Sequence, residues 1–238
     1  MTEARVVVEG AAKRYGAVLA VDGVSLSIQA GEVYSLIGAN GAGKSTLIRM
    51  IVGITEPDAG RVLICGEDLA QRLPKTKRHL GYLPEELVLY DRLTGREYLE
   101  LVAGLKESDC PIDDEIDFFE LSQVAQKLVG AYSLGMRKKL GLAAAMIGSP
   151  DILVLDEPLN GLDVEMMRKL RLRIESERER GRALLVSSHV MSFVERVSNR
   201  VGVMRGGRLV AEGSPSELRA ATSLADAPFE DVFFHLTG

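Results

Sequence analysis

The chain has 238 residues, 46% of them hydrophobic and 26% charged, with a formal net charge of −5. A chain of this length is expected to form one large domain or two joined lobes around a core that needs no disulfide. The mild acidity disfavours nucleic-acid binding, which usually relies on a basic surface, and no apolar run approaches the ~18 residues that a membrane helix needs.

The cysteines indicate the redox environment. Cys65 and Cys110 are the two cysteines of the chain, and they have no CxxC spacing. A disulfide framework is therefore disfavoured, and a reducing cytoplasm is predicted.

The N-terminal third alternates short strands with a helix. We predict strands at residues 5–9, 24–28, 33–37 and 62–65 and a helix at 44–52. Residues 33–37 are almost wholly apolar, which indicates a buried strand. This alternation favours an α/β fold with much parallel sheet.

The middle of the chain has helical character. Thr94 is predicted to begin a helix with a capping box completed by Glu97, and apolar spacing continues it to Leu105. Further helices are predicted at residues 118–128 and 140–147. We interpret this region as a helical insert between two α/β halves.

The last third returns to strand–helix alternation. Strands are predicted at residues 152–155 and 183–187, with a highly charged helix at 164–180 between them. Residues 201–204 and 208–210 flank Gly206-Gly207, a dipeptide that suits a two-residue hairpin. Residues 229–236 are amphipathic, and we expect them to pack on their own domain.

A phosphate-binding motif lies directly after the buried strand. Residues 38–45, GANGAGKS, fit the Walker A pattern G-x-x-x-x-G-K-[ST]. Glycines let backbone N–H groups turn inward, and the start of the following helix adds partial positive charge. Lys44 is predicted to reach terminal phosphates, and the Ser45 hydroxyl to bind Mg²⁺.

Two carboxylates follow another buried strand. In residues 152–158, ILVLDEP, Asp156 and Glu157 emerge at the carboxyl end of the strand, where open α/β sheets bind ligands. Asp156 is predicted to hold Mg²⁺, and Glu157 to polarise an attacking water. By itself Asp-Glu-Pro is ordinary turn chemistry; its pairing with the phosphate motif favours the functional interpretation.

With three further motifs, the chain resembles the ATP-binding subunits of ABC transporters over essentially its whole length. Residues 132–136, YSLGM, are similar to the family's signature loop, usually LSGGQ, with Ser133 and Gly135 matching. Residues 161–163, GLD, resemble the D-loop, and His189 the switch histidine. The YSxGM version is similar to that of drug, antibiotic and polysaccharide exporter ATPases with separate membrane subunits.

The resemblance implies the P-loop NTPase fold of ABC ATPases. Its RecA-like α/β core carries an antiparallel β subdomain and a helical insert subdomain. We expect a single ABC ATPase domain at residues 1–238, with the core and β subdomain at about 1–84 and 149–220. The helical signature subdomain would span about 85–148, and a C-terminal tail 221–238.

The resemblance also implies roles for individual residues. Glu157 and His189 are expected to act in catalysis, and Ser45, Glu85 and Asp156 to bind Mg²⁺. Tyr15 is expected to stack on adenine, and the other ATP-binding residues are Gly38, Asn40, Gly41, Ala42, Gly43, Lys44, Ser45 and Thr46. Ser133, Gly135 and Asp163 are expected to contact ATP held by a second subunit.

Glu85 is a departure from the family pattern. The family most often has Gln at this position, which touches the metal and senses the membrane partner. Glu85 keeps an oxygen acceptor, adds a negative charge and loses the N–H donors. We expect it to retain the Gln role; the alternative is an exposed turn carboxylate like its neighbour Glu86.

The predicted function is an ATP-binding and hydrolysing subunit that powers a membrane exporter through ATP-driven dimerisation. Its predicted partners are a second ATPase subunit, in a homodimer, and integral membrane subunits that hold it at the cytoplasmic face; no nucleic acid is expected. The alternatives are a soluble ABC-type ATPase acting on nucleic acid or ribosomes, and a P-loop kinase. His79 and His235 receive no role.

Overall fold

The computed structural model describes residues 4–222, 224 and 227–238, apart from the side chains of residues 72–74. Its elements in chain order are β1 (Ala4–Tyr15), β2 (Val18–Gln29), β3 (Val33–Gly38), α1 (Lys44–Ile51), β4 (Ala59–Ile64), β5 (Glu67–Asp68), α2 (Leu69–Thr76), β6 (Leu80–Leu83), α3 (Gly95–Leu105), α4 (Ile112–Phe118), α5 (Leu134–Met146), β7 (Ile152–Asp156), α6 (Val164–Glu179), β8 (Ala183–Ser187), α7 (Met191–Val197), β9 (Arg200–Arg205), β10 (Arg208–Gly213), α8 (Pro215–Thr222) and α9 (Phe229–Thr237).

The larger sheet has the strand order β10-β9-β3-β8-β7-β6 and is parallel except for β10. Every residue of β7 and β8 is buried, because helices cover both faces of a parallel sheet. Ser187 pairs with Leu36 on one side and Asp156 on the other, so the carboxyl ends of β3, β8 and β7 meet at one edge. This register brings the loop at 38–45 close to the carboxylates at 156–157.

The smaller sheet is antiparallel, in the order β2-β1-β4-β5. Its β1 and β2 each run for 12 residues, well beyond the short strands predicted at 5–9 and 24–28. Their pairing contains several register irregularities. Such irregularities break the two-residue alternation on which a strand prediction depends, so the pattern showed only part of each strand.

The helical predictions had mixed outcomes. The Thr94–Glu97 capping box is confirmed at the start of α3. The helix predicted at residues 118–128 is wrong: α4 ends at Phe118, and Glu120 has a left-handed backbone with φ 58°. The apolar residues after Phe118 lie in turns, and several of them are buried in the core. Their spacing reflects this burial and not a helix. Helix α5 begins at Leu134, six residues before the predicted start.

The C-terminal predictions are confirmed. Gly206 and Gly207 both have positive φ, as a two-residue turn of the mirror-image type requires, and they join β9 to β10. Phe229 and Val232 of α9 are buried in one hydrophobic cluster with Ile37 and Val201, so this segment packs on its own domain. Within the described residues, no helix combines the length and apolar character needed to cross a bilayer.

Candidate functional site

A cavity of about 590 Å³ opens at the carboxyl edge of the parallel sheet. It collects residues from five separate parts of the chain. The lining residues are Val18, Leu19, Ala20, Asn40, Gly41, Ala42, Gly43, Lys44, Ser45, Thr46, Glu85, Asp156, Glu157, Gly206 and Gly207. Most of the predicted site residues therefore meet around one space.

Two glycines of the 38–45 loop are required by close backbone packing. Gly43 has φ 104°, and a Cβ atom there would lie 2.2 Å from the Ala20 carbonyl oxygen. A Cβ atom on Gly38 would lie 2.6 Å from the Met204 carbonyl oxygen. The loop is thus held between β2 and the β9–β10 hairpin, where larger residues would push it out of shape.

The loop and the start of α1 suit an anion. Gly43 provides no side-chain cap, and the first turn of α1 has no acidic residue, so its N–H groups and the helix dipole favour negative charge. Lys44 Nζ donates hydrogen bonds to the carbonyl oxygens of Gly38 at 2.7 Å and Ala39 at 3.3 Å. These two hydrogen bonds hold the Lys44 ammonium against the 38–45 loop.

The opposite wall of the cavity is acidic. Asp156 is only 3% exposed, and its carboxylate accepts a hydrogen bond from the Ser187 hydroxyl. Burial raises the pKa of Asp156, the charges of Glu85 and Glu157 raise it further, and the Ser187 hydrogen bond and Lys44 oppose the rise. A cation bound here would relieve this concentration of negative charge.

Oxygen donors converge beside the acidic wall. Ser45, Glu85 and Asp156 line both the main cavity and an adjoining one of about 270 Å³. A hydroxyl and two carboxylates are the hard oxygen ligands that Mg²⁺ prefers. The residues present therefore fit a magnesium ion.

Glu157 is held in an unusual conformation. Its φ of 45° lies in the left-handed region, and its backbone N–H donates to Ser187 Oγ at 2.9 Å. Its Oε2 lies 2.8 Å from Nδ1 of His189, whose side chain is two-thirds exposed. A non-glycine residue in this region costs energy and indicates a functional constraint. The geometry points the carboxylate toward the cavity with a histidine beside it.

Tyr15 stands at the rim of the site. It ends β1 and pairs with Val18, which lines the cavity, and its ring is about half exposed. Lys13 Nζ lies 5.9 Å from the ring centroid. An exposed ring at this position is available to stack against a flat ligand.

Ser133, Gly135 and Asp163 lie together on two adjacent loops, apart from the cavity lining. Ser133 and Asp163 cap α5 and α6 by accepting hydrogen bonds from the backbone N–H groups of Met136 and Met166. A Cβ atom on Gly135 would lie 2.8 Å from the Gly161 carbonyl oxygen. Within one copy of the chain, these residues organise helix starts that face outward.

Sequence reasoning missed Lys138 and Ser187. Lys138 lies on α5, is 5% exposed, and its charge acts on Asp156, Glu157 and Glu85. Burial lowers the pKa of its ammonium, and the three carboxylates oppose that effect. For Lys138, the sequence signal that could have revealed it is a lysine among the apolar residues of a helix. For Ser187, the signal is a hydroxyl at the end of a buried strand.

The substitution Lys138→Met tests the role of this cation. Without the ammonium, one positive charge fewer opposes the burial that raises the pKa of Asp156, so this carboxylate protonates at higher pH. We expect the acid limb of kcat/KM for ATP hydrolysis to move up by about 1 pH unit. Lys138→Arg, which keeps the charge, should leave the limb near its original position. Superimposable profiles for wild type and Lys138→Met would contradict this role.

Comparison with known proteins gives consistent similarities. Residues 21–160 match the family model described as ABC transporter. The chain is 40% identical over 211 residues to the Nod factor export ATP-binding protein I of Burkholderia thailandensis, covering 87% of this chain and 69% of that protein. It is 34% identical over 227 residues to the daunorubicin resistance ATP-binding protein DrrA3 of Streptomyces coeruleorubidus, covering 93% and 72%.

Solved structures give the same result. The ATP-binding subunit of an ABC transporter superposes with a TM-score of 0.93 at 30% identity, covering 98% of this chain and 99% of that one. A dimeric bacterial ABC transporter cassette gives a TM-score of 0.82 at 24% identity, covering 88% and 98%, which establishes similarity of fold.

Proposed function

This chain belongs to the ABC transporter family, whose ATP-binding subunits hydrolyse ATP to power transport, and we propose that it drives an exporter. The relatives named for Nod factor export and daunorubicin resistance support export. The observation that carries the proposal is the single cavity joining the 38–45 loop to Asp156 and Glu157. The cargo would be selected by membrane subunits.

The chain's own residues divide the work of binding ATP. The N–H groups of residues 40–46 would surround the phosphates, and Lys44 would exchange its bonds to Gly38 and Ala39 for phosphate oxygens. The half-exposed Tyr15 would stack on adenine. Mg²⁺, held through Ser45, Glu85 and Asp156, would supply positive charge against the phosphates.

Glu157 would orient and deprotonate the attacking water. Its backbone is fixed through Ser187, and its carboxylate is hydrogen-bonded to His189, so the two side chains act as one unit. The exposed His189 ring would also contact the terminal phosphate. Glu85 would keep the metal-contacting role of the glutamine that the family usually has there.

A second copy of the chain would complete the site. The helix starts at Ser133 and Gly135 face outward, and Leu134 is 75% exposed beside them. An N-terminal helix end facing the phosphates of a neighbouring subunit would stabilise their charge. ATP would then join the two copies, and its hydrolysis would release them. We propose that residues of about 85–148 form the helical signature subdomain that carries this loop.

An exposed apolar patch beside Glu85 supports a membrane partner. The patch consists of Ile54 and Val88, which are 59% and 89% exposed. Ile54 and Val88 also line the adjoining cavity with Glu85. A membrane subunit seated on this patch would be close enough to influence the metal site.

The substitution Val88→Asp tests the membrane partner. A charge in the patch should reduce recovery of integral membrane proteins at least about tenfold, because burying an unpaired carboxylate is costly. The measurement is affinity purification from detergent-solubilised native membranes, followed by mass spectrometry. ATP binding and basal hydrolysis should persist.

The matched control is Leu172→Asp on α6, a residue 47% exposed and outside the patch. It should leave recovery unchanged. Recovery of ribosomes or nucleic acid in place of membrane proteins would favour the soluble-ATPase alternative. Transfer of phosphate to an acceptor other than water would favour the kinase alternative.

A further inference from the structure

Three side chains of types that can bind metal ions lie together at the amino-terminal edge of the parallel sheet. Cys65 lies in the turn between β4 and β5, His79 directly precedes β6, and Asp151 directly precedes β7. Their ligand atoms all lie within 4.8 Å of one another. His79 Nδ1 is 2.6 Å from Asp151 Oδ2. Three segments that are distant in sequence thus contribute one donor each.

This cluster is separate from the nucleotide cavity. Strands β6 and β7 are parallel neighbours, with Leu80 opposite Ile152, so His79 and Asp151 lie side by side where these strands begin. Glu85 and Asp156 follow or end the same strands at their opposite, carboxyl ends. The strands therefore separate the two groups of side chains.

Cys65 occupies a turn position that local preference does not explain. Cys65 and Gly66 have φ values of 50° and 78°, and Ile64 pairs with Glu67 across them. Asn, Asp or Gly is favoured where both central residues of such a turn have positive φ. The Cys65 N–H donates to the Arg5 carbonyl oxygen at 2.8 Å, which ties the turn to β1.

We propose that Cys65, His79 and Asp151 bind a divalent ion of the zinc class. Thiolate, imidazole and carboxylate are the three protein ligands of Zn²⁺, and tetrahedral bonds of 2.0–2.3 Å set ligand atoms roughly 3.3–3.6 Å apart. The observed spacing needs adjustments of about 1 Å. On binding, the Cys65 thiol loses its proton to solvent, and the His79 imidazole binds in its neutral form with its one proton on the ring nitrogen that does not contact the ion.

The partial exposure of the ligands leaves the fourth position to water. All three residues are of intermediate burial. The ion would connect two sheets. It would join the β4–β5 turn of the antiparallel sheet to β6 and β7, the two outermost strands on one side of the parallel sheet. Since it binds the folded chain, it stabilises that chain by an amount that grows with the logarithm of the ion concentration once the site is mostly occupied. This inference is independent of the proposed transport role.

Zn²⁺ titration of the full, tag-free chain tests the proposal. The protein is stripped with a chelator, and excess Mg²⁺ is added to occupy the nucleotide site. We expect one equivalent of Zn²⁺ to bind in competition with a chromophoric chelator. Co²⁺ in its place should give the near-ultraviolet band of a thiolate–cobalt bond.

Matched variants identify the ligands. Cys65→Asn, which suits the turn, His79→Gln and Asp151→Asn should each weaken Zn²⁺ binding on the order of 100-fold or more. Cys110→Ser should bind as the wild type does. Thermal melting without metal shows that each variant is folded, and ATP hydrolysis should be unchanged in Cys65→Asn. Absence of stoichiometric binding, or binding that survives Cys65→Asn, would overturn the proposal.

Discussion

Glu157→Gln should reduce ATP hydrolysis at least about 100-fold while leaving ATP binding intact, because removal of a general base typically costs that much. The amide keeps the size of the side chain and its capacity to contact His189, which lies 2.8 Å from the carboxylate. It cannot accept a proton from water. Bound ATP would then persist, and size-exclusion chromatography with ATP and Mg²⁺ should reveal an accumulated dimer.

Glu165→Gln is the matched control for this substitution. Glu165 lies in the first turn of α6 with its side chain 77% exposed. Its loss should leave both hydrolysis and elution volume unchanged. If Glu157→Gln instead hydrolyses ATP at the wild-type rate, Glu157 is not the catalytic base. A monomer that retains ATP without turnover would remove the nucleotide-bridged dimer from the mechanism.

Lys44→Ala should weaken ATP binding about 10- to 100-fold. Among the described residues that line the cavity, Lys44 is the one lysine. A hydrogen bond to a charged group contributes about 1.5–3 kcal/mol. The measurement is direct titration with a fluorescent ATP analogue in the presence of Mg²⁺. Hydrolysis should fall further, because charge develops on the terminal phosphate during transfer.

Lys75→Ala provides the control for loss of a lysine. Lys75 lies on α2, where its exposed side chain pairs with Glu67 at 2.8 Å. Its variant should bind ATP normally. Since Lys44 also donates to the Gly38 and Ala39 carbonyl oxygens, melting curves are needed to separate a binding defect from unfolding. Wild-type hydrolysis in a folded Lys44→Ala variant would refute the phosphate-binding role of the loop.

Contiguous features were predictable from the sequence. The 38–45 loop, the buried strand that ends at Asp156 and the Thr94–Glu97 capping box each depend on residues within a few positions of one another. Their physical causes are local: a glycine's freedom, a buried run, a hydroxyl that accepts an N–H. The same locality made the Gly206-Gly207 hairpin predictable.

Other features escaped because their causes are distant in sequence. Strand β6 is four residues long, and its burial comes from pairing with β7, so a short segment beside an insert gave little signal. The apolar residues after Phe118 were interpreted as helical, although they pack into a core shared with α3 and α5. Burial alone produced a spacing like that of a helix.

The sequence by itself determined the α/β class, the phosphate loop and the acidic strand end, and the resemblance that these motifs carry to ATP-binding subunits. Only the tertiary structure decided that Lys138 approaches the carboxylates, that Ser187 holds Asp156 and Glu157, and that Cys65, His79 and Asp151 meet. The physical reason is that backbone preferences act over a few residues. Electrostatic contact and metal geometry depend on distances in space, which sheet register and helix packing fix.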